Sequence, residues 1–464
     1  MSNFWDYNVW GTFMTFAVLF SSLLVGHALK KAIRFFRESL IPTSVLGGVI
    51  LIIISVIYKA ITGTVMFDTL FFGGDGTAKL EIITYHALAI GFIASTLKNT
   101  ESKMSKQRTV EIFNTGVTTV ATYLLQGIVG LVTTMIAAQV ISGFFVAAGV
   151  LLPFGYGQGT GQALNYGNIY ETEYGFDGGK SFGLTIAALG FLSASIGGVL
   201  HLNIMKHRGK LKCADKEHTK PMQSLAAHQT DKPFSESMDR MTVQISLIAL
   251  VYFISYGVMY LLGWLLPGMI SVIYGFNFLI GVLVAIITKK IMKLFKKKTI
   301  ITKEYIDDFV LTRTSNFCFD VMIVSGIAAI RLDILENYFG IIIILGIIGA
   351  VSTYAYLRFI SKKLFPKYYE EQFLMLYGML TGTASTGAIL LREIDGEFET
   401  PASDNMIYQN LPAIAFGFPL MILATLAAEK PILTLIIFII YFIALNLLLF
   451  RGSIFKKRKK TTIK

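Results

Sequence analysis

The stretch PFGYGQGTGQALNYGN, residues 153–168, carries five glycines and is flanked by apolar sequence. It follows the run GFFVAAGVLL at residues 143–152, which is typical of half a membrane span. Non-helical backbone is tolerated at membrane depth only where it is buried in protein or lines a wet cavity. The stretch is therefore a loop, an ion filter or a substrate site, and the rest of the chain has to decide among these.

The composition indicates a membrane protein. Of the 464 residues, 54% are hydrophobic and only 15% are charged, which differs from the balance of a soluble domain. Several segments approach the 20 or so apolar residues needed to cross a hydrocarbon core of about 30 Å. We predict an all-α polytopic membrane protein with spans at 9–29, 42–61, 82–97, 110–140, 182–205, 241–266, 269–287, 316–330, 338–357, 406–428 and 431–450.

The net charge of +12 is explained by topology. If the N-terminus lies outside, all but five of the 41 Lys and Arg residues fall in cytoplasmic segments. This bias is the positive-inside rule. We therefore predict a multi-pass protein of the cell membrane, inner or plasma, with an outer N-terminus and a cytoplasmic C-terminus. Its expected surroundings are the lipid bilayer, and the basic charge does not indicate a nucleic-acid partner.

The polar stretch 206–240 is predicted to be a cytoplasmic linker between two halves, 1–205 and 241–428. Each half has five spans and one break rich in glycine and threonine. Glycines in the short spans, Gly91 and Gly326, are 235 residues apart, and the two breaks are 226 residues apart. The similar offsets indicate a duplication. Because five crossings is an odd number, the second copy is expected to be inverted.

The breaks are predicted to be re-entrant helical hairpins, at about 143–168 and about 370–396, the second one entering from the cytoplasm. Residues 429–464 would add an extra transmembrane helix and a basic cytoplasmic tail. A hairpin tip exposes free backbone N–H groups and a positive helix-dipole end. Two tips that meet would suit an anionic group, while free carbonyls and Thr hydroxyls suit a cation. This predicts a substrate site rather than a simple loop.

At these residues the chain resembles the glutamate:sodium symporter family, over roughly residues 9–428. The resemblance rests on IPTSVLGG (41–48), GQGTG (157–161) and GTASTGAI (382–389). Family members carry a Gly-Gly-His-Gly-Thr pattern where this chain has Tyr156-Gly157-Gln158-Gly159-Thr160, and a proline near the second tip is missing here. The extra span at 431–450 is a further departure.

The resemblance implies a cation-coupled, elevator-type symporter, not an enzyme. Sodium would be the coupling ion, no other cofactor would be needed, and the substrate would be a small carboxylate-bearing solute such as glutamate. The family picture also implies a homodimer. The first, second, sixth and seventh spans would form a scaffold, and the short spans and hairpins would form a moving core.

The candidate site residues lie at the two tips and in the short span 316–330. The candidate substrate contacts are Gln158, Gly159, Thr160, Gly161, Gln162, Thr383, Ser385, Thr386, Gly387 and Arg392. The candidate ion contacts are Asp320, Asn316, Gly382 and Thr383.

Other interpretations of these residues stay open. The small residues at the tips also permit close helix packing. Asp320 either ligates sodium, carries a coupled proton or pairs with a basic side chain, since intramembrane carboxylates are usually functional. Arg392 either binds a substrate carboxylate or joins Glu393 and Asp395 in an ion network. Gln126 either lines the site or bonds between helices.

Two other classes of protein compete with the symporter. An ion channel with glycine-rich re-entrant pore loops is suggested by Gly155-Tyr156-Gly157, although a potassium filter needs Thr-Val before that motif and here Pro153-Phe154 precedes it. An intramembrane aspartyl protease would need two aspartates in spans, whereas Asp75 falls in an outer loop. No metal site apart from sodium is expected, because the linker histidines lack zinc-ligand spacing.

Overall fold

The computed structural model describes residues 3–38, 41–98, 105–208, 238–297, 305–396 and 399–451, and these contain helices and no strand. Most of the predicted linker and the predicted basic tail beyond residue 451 lie outside the described residues. The helices of the first half are α1 (Tyr7–Ala32), α2 (Arg34–Glu38), α3 (Thr43–Thr62), α4 (Gly76–Leu97), α5 (Lys106–Val140), α6 (Leu151–Gln158), α7 (Thr160–Tyr174) and α8 (Gly179–His207).

The rest of the chain forms ten further helices, with short 3₁₀ turns between some of them. These are α9 (Arg240–Leu265), α10 (Ile270–Gly275), α11 (Asn277–Lys297), α12 (Asp308–Ala328), α13 (Phe339–Leu364), α14 (Tyr369–Thr381), α15 (Ala384–Arg392), α16 (Pro401–Tyr408), α17 (Asn410–Glu429) and α18 (Pro431–Leu449).

Within the described part of the chain, nine helices are long and apolar enough to cross a membrane, namely α1, α3, α4, α5, α8, α9, α13, α17 and α18. The predicted spans at 269–287 and 316–330 are not among them. The first is broken, because α10 ends at Gly275 and the side chain of Asn277 accepts a hydrogen bond from the Phe278 N–H at 2.6 Å. The second is a helix that starts earlier, at Asp308, where the Asp307 carboxylate caps its first turn.

The chain divides into two compact units, and each unit draws helices from both halves of the sequence. Unit 1 comprises Met1–Leu24, Gly47–Lys103 and Lys220–Ala329, and unit 2 comprises Val25–Leu46, Met104–Thr219 and Ile330–Lys464. The predicted repeats are therefore not separate spatial units. The short predicted spans, α4 and α12, belong to unit 1, and both hairpins belong to unit 2; that the short spans and hairpins move as one core stays a prediction.

In unit 1, α4 and α12 pack closely through small and polar residues. The hydroxyls of Thr84 and Ser325 lie 2.8 Å apart, and the Ser315 hydroxyl donates to the Gly91 carbonyl at 2.9 Å. Gly91 leaves room for the ring of Phe319, which a Cβ at that position would approach to 2.8 Å. Hydroxyl pairs and glycines are the usual means of joining helices in membranes, and here they pair the two short predicted spans.

In unit 2, the long helix α5 packs against both hairpins and α18. Gly130 of α5 crosses Gly149 so closely that a Cβ on either residue would overlap the backbone of the other. Gly127, one turn earlier, faces the ring of Phe438 in α18. The predicted extra C-terminal helix is thus packed into the unit that carries the hairpins.

Candidate substrate site at two hairpin tips

The chain reverses direction between α6 and α7. Phe154 and Tyr166 are twelve residues apart, yet their rings stack with centroids 3.8 Å apart and an interplanar angle of 9°. In one continuous helix they would be separated by about 18 Å. The reversal occurs at Gly159, whose φ of 81° and ψ of −172° are essentially restricted to glycine. The glycine-rich stretch is therefore a helical hairpin, and α7 extends past the predicted end at residue 168 to Tyr174.

The tip of this first hairpin contains buried polar side chains. Thr160 is fully buried, Gln162 is 1% exposed, and Gln158 is half-buried. Neither the oxygen nor the nitrogen of the Gln162 amide has a hydrogen-bond partner among the described residues. Because buried polar groups are nearly always paired, this amide fits contact with a polar ligand.

The chain also reverses between α14 and α15, with Gly382 and Thr383 at the turn. Gly378 and Gly387 are nine residues apart, but a Cβ on Gly378 would lie 2.8 Å from the Cα of Gly387. The two arms of this second hairpin therefore touch backbone to backbone. Thr383 caps α15 by accepting a hydrogen bond from the Thr386 N–H at 3.2 Å. Thr386 is fully buried.

The two tips converge within unit 2, because the same helices touch both of them. In α5, the Tyr123 hydroxyl donates to the Gly157 carbonyl at 3.0 Å, and the Gln126 amide donates to the Leu380 carbonyl at 2.9 Å. In α8, a Cβ on Gly190 would lie 2.5 Å from the Thr381 carbonyl oxygen and 3.1 Å from the ring of Tyr156. Gln126 is thus an interhelical hydrogen-bond donor beside the second tip.

Each tip combines the end of one helix with the start of another. Helices α6 and α14 end there, at Gln158 and Thr381, while α7 and α15 begin there, at Thr160 and Ala384. Helix starts carry partial positive charge and free N–H groups, and helix ends carry partial negative charge and free carbonyls. The arrangement can therefore attract a small anion and a cation to the same region.

The other predicted site residues are placed as follows. Ser385 and Gly387 lie in the first turn of α15, next to the tip. Arg392 lies in the last turn of that helix, about 13 Å along its axis from Thr383 at 1.5 Å per residue. Arg392 forms no ion pair or hydrogen bond with Glu393, Asp395 or any other described residue, so the alternative of an ion network is not observed there.

The predicted ion contacts are divided between the two units. Gly382 and Thr383 belong to unit 2, whereas Asn316 and Asp320 lie on α12 in unit 1. Asn316 and Asp320 are both exposed, and their spacing of four residues places them on one face of that helix. Among the described residues there is no group of three or more His, Cys, Asp or Glu side chains that could hold a metal ion.

A polar stripe along α5 was not predicted as a feature of the site. Its members are four or seven residues apart, which puts them on one helical face, and they bond to α14 and to residues beside α14 and α16. The bonds are Glu111 to the Tyr368 hydroxyl (2.8 Å), Thr115 to Gln372 (3.1 Å), Thr119 to Gln409 (2.9 Å) and Gln126 to the Leu380 carbonyl (2.9 Å). The stripe anchors the second hairpin on α5.

A charged cluster at the start of the second hairpin was also missed. Glu370, in the first turn of α14, forms a bidentate ion pair with Arg358 of α13. Nε2 of His201 in α8 lies 3.0 Å from the same carboxylate. An ionisable residue inside a membrane-length helix, such as His201, is itself a signal that the sequence carried. The cluster fixes the base of the hairpin to two neighbouring helices.

Glu370→Gln is expected to lower the free energy of unfolding by about 3 kcal/mol at neutral pH, because it leaves the Arg358 guanidinium without its carboxylate. Glu370 lies outside the nine membrane-length helices. Burial alone would raise the pKa of its carboxyl, but hydrogen bonds from His201 and Arg358 lower it to about 2. The stabilisation is therefore present above the ordinary carboxyl pKa and is lost as the pH falls through about 2.

Denaturant unfolding of the purified wild type and variant between pH 7 and pH 3 measures this effect. Glu371→Gln is the matched control, since burial raises the pKa of that carboxyl and its neutralisation should leave the stability unchanged or slightly higher. Equal stability of Glu370→Gln and the wild type at pH 7 would show that the ion pair does not hold the hairpin.

A chain whose described residues form membrane-length helices and two helical hairpins with tips that meet has the features of a membrane transporter. The family model described as sodium/glutamate symporter matches residues 9–387. The chain therefore belongs to the sodium/glutamate symporter family, a family of transporters rather than enzymes. The match includes both hairpin tips, and it gives no support to the ion-channel alternative. A comparison with curated proteins finds no matching sequence.

Proposed function

We propose that this protein is a sodium-coupled symporter of the cell membrane that carries a small carboxylate-bearing solute such as glutamate. The observation that carries the proposal is the meeting of two hairpin tips, together with the buried Gln162 amide, which has no hydrogen-bond partner in the described part of the chain. Membership of the symporter family makes sodium the expected coupling ion. The distribution of Lys and Arg supports an outer N-terminus and a cytoplasmic C-terminus.

The carboxylate would bind at the starts of α7 and α15. Backbone N–H groups around Gly161 and Gly387, the hydroxyls of Thr160 and Thr386, and the Gln162 amide would be its donors. Such donors are strongest when they face a full negative charge. Gln158 and Ser385 would complete the tips, and Arg392 would act from a distance, through its charge, and not by direct contact.

Sodium would bind where the carbonyl ends of α6 and α14 meet the hydroxyl of Thr383 and the backbone of Gly382. Transporter sites commonly coordinate sodium with unwound backbone carbonyls in this way. We also propose that Asp320 and Asn316, on one face of α12, contribute to ion coupling in unit 1. The spacing of these two oxygen-bearing side chains supports that role.

We further propose that the two halves are inverted repeats and that the protein works as a homodimer by an elevator-type mechanism. Related contacts support the repeat: α5 packs on α6 as α13 packs on α14, and α5 packs on α17 as α13 packs on α8. Both hairpins and the helices that touch them fall in unit 2. The substrate site at the two tips could therefore move as one body.

Uptake into proteoliposomes tests the proposed function. Labelled glutamate, aspartate, small dicarboxylates and neutral amino acids are offered with an inward sodium gradient or with equal sodium on both sides. We expect one carboxylate-bearing solute to accumulate against its gradient and to lose that accumulation when sodium is equalised. Accumulation that does not depend on the sodium gradient, or an ion current without solute transport, would contradict the proposal.

The same assay tests Asp320. Asp320→Asn is expected to raise the sodium concentration for half-maximal uptake about tenfold, because a charged oxygen ligand is lost. Asp308→Asn, the same change in the first turn of the same helix, is the control and should leave sodium activation unchanged. An unaltered sodium dependence in Asp320→Asn would assign Asp320 a structural role.

A further inference from the structure

Unit 1 contains a cavity that the proposed transport site does not use. Its volume is about 470 Å³, and it lies between α4, α9 and α10. The residues that define its character are aromatic: Tyr85, His86, Tyr252, Phe253, Tyr256 and Tyr274. This volume falls in the usual range for small-molecule sites, which are mainly apolar with a few placed polar groups.

The polar groups of the cavity lie at the middle of two membrane-length helices. His86 is the eleventh of 22 residues in α4, and Tyr252 is the thirteenth of 26 in α9. His86 is exposed. At this depth lipid tails offer no hydrogen-bond partner, so an exposed ionisable side chain marks a functional site.

The hydrogen bonds around the cavity allow His86 to accept a hydrogen bond at Nδ1. Asn277 donates from Nδ2 to the Tyr85 carbonyl at 3.2 Å and to the Tyr252 hydroxyl at 3.5 Å, while its Oδ1 accepts from the Phe278 N–H. Tyr252 accepts from Asn277 and can donate its own proton to Nδ1 of His86, 2.7 Å away. A neutral imidazole that accepts at Nδ1 carries its proton on Nε2.

Nε2 of His86 has no hydrogen-bond partner among the described residues. In the tautomer that accepts from Tyr252 at Nδ1, Nε2 offers a donor to the cavity, and the matching ligand group is an acceptor oxygen. The surrounding tyrosine and phenylalanine rings favour a flat apolar body. We propose that this cavity binds an apolar, ring-bearing small molecule from the bilayer through one carbonyl oxygen that accepts a hydrogen bond from His86.

Benzophenone, which has two aromatic rings and one ketone, is the probe for this proposal because light attaches it to nearby C–H bonds. The full chain in lipid nanodiscs is irradiated with benzophenone, and the attachment sites are mapped by mass spectrometry. Fluorenone and fluorene, which share one ring system and differ in having C=O or CH₂ at one position, are the competitors. We expect attachment on α4 and α9 at the cavity, and fluorene should need roughly fivefold or more the concentration of fluorenone to compete.

In His86→Leu, fluorenone and fluorene should compete at equal concentrations. In Tyr252→Phe, the difference between their competing concentrations should be reduced. His27→Leu, the same change at an exposed histidine of α1, should preserve it. Thermal unfolding of each variant confirms that it is folded, and sodium-driven uptake should be unaffected in all three, which separates this site from the proposed transport site. Equal competition in the wild type, or attachment spread evenly over the lipid-facing helices, would overturn the proposal.

Discussion

Gln162→Leu is expected to raise the stability of the substrate-free protein and, at the same time, to weaken its substrate binding by about ten- to a hundredfold. The two effects have opposite signs because the Gln162 amide is buried and unpaired in the described structure. Removing an unsatisfied buried polar group should stabilise the protein by about 1–2 kcal/mol. A hydrogen bond to a charged substrate contributes about 1.5–3 kcal/mol.

Thermal unfolding without substrate and the KM for uptake measure the two effects. Gln126→Leu is the matched control, since its amide nitrogen donates to the Thr353 hydroxyl and to the Leu380 carbonyl, each at 2.9 Å. That control should lose stability. If Gln162→Leu loses stability as Gln126→Leu does, and uptake is unchanged, the Gln162 amide belongs to the packing of the first hairpin and not to the site.

Thr160→Val and Thr386→Val are each expected to raise the KM by several-fold to a hundredfold, and the double variant should lose less than the product of the two effects. Each hydroxyl hydrogen bond contributes on the order of 1 kcal/mol, and more is lost where a charged partner is left unsatisfied. Groups that hold one ligand are coupled, whereas groups in separate sites act independently. The double-mutant cycle therefore measures whether the two tips share a substrate.

Thr160→Ser and Thr386→Ser are the controls, because they keep the hydroxyl and lose only a methyl group. Both should transport at close to the wild-type KM. Thermal unfolding is measured for each variant, because Thr160 and Thr386 are fully buried and their substitution can also change stability. Effects on the KM that multiply without coupling would mean that the two tips act on different ligands.

The spans and the hairpins could be predicted from the sequence because each follows from local composition. The apolar runs are long enough to cross a bilayer, and the glycine clusters around Gly159 and Gly382 mark the two reversals. The break between α10 and α11 was not predicted, because it rests on a single side chain, Asn277, that bonds to its own neighbour and to α4. A hydropathy pattern does not contain that information.

The grouping of helices was predicted less well than the helices themselves. The pairing of α4 with α12 depends on the hydroxyls of Thr84 and Ser325 meeting across 241 residues of chain. The Glu370–His201 contact likewise joins residues 169 positions apart. Tertiary packing decides which distant side chains meet. A single sequence therefore shows which residues can form such contacts, but not which residues they contact.

The sequence predicted the residues of the candidate site from their types. It did not predict the property that is easiest to test, which is the hydrogen bonding of the Gln162 amide. Gln162 was an expected contact because it lies at a tip. Both of its amide atoms are buried and have no hydrogen-bond partner among the described residues. This property depends on the positions of all the neighbouring helices. Gly387 was expected to line the site, and the structure adds that a Cβ there would lie 2.5 Å from the Met375 carbonyl oxygen, so it is a poor position for a probe.

Substrate protection of one cysteine at each tip tests most directly whether the two tips form one site. In a chain whose own cysteines are replaced by serine, Gln158→Cys and Ala384→Cys report on the first and second tips. Thr172→Cys, in α7, and Glu393→Cys, directly after α15, are exposed controls away from the tips. We predict that the transported carboxylate with sodium slows thiol labelling at both tip cysteines and at neither control. Unchanged labelling at either tip cysteine under saturating substrate and sodium would contradict a shared site.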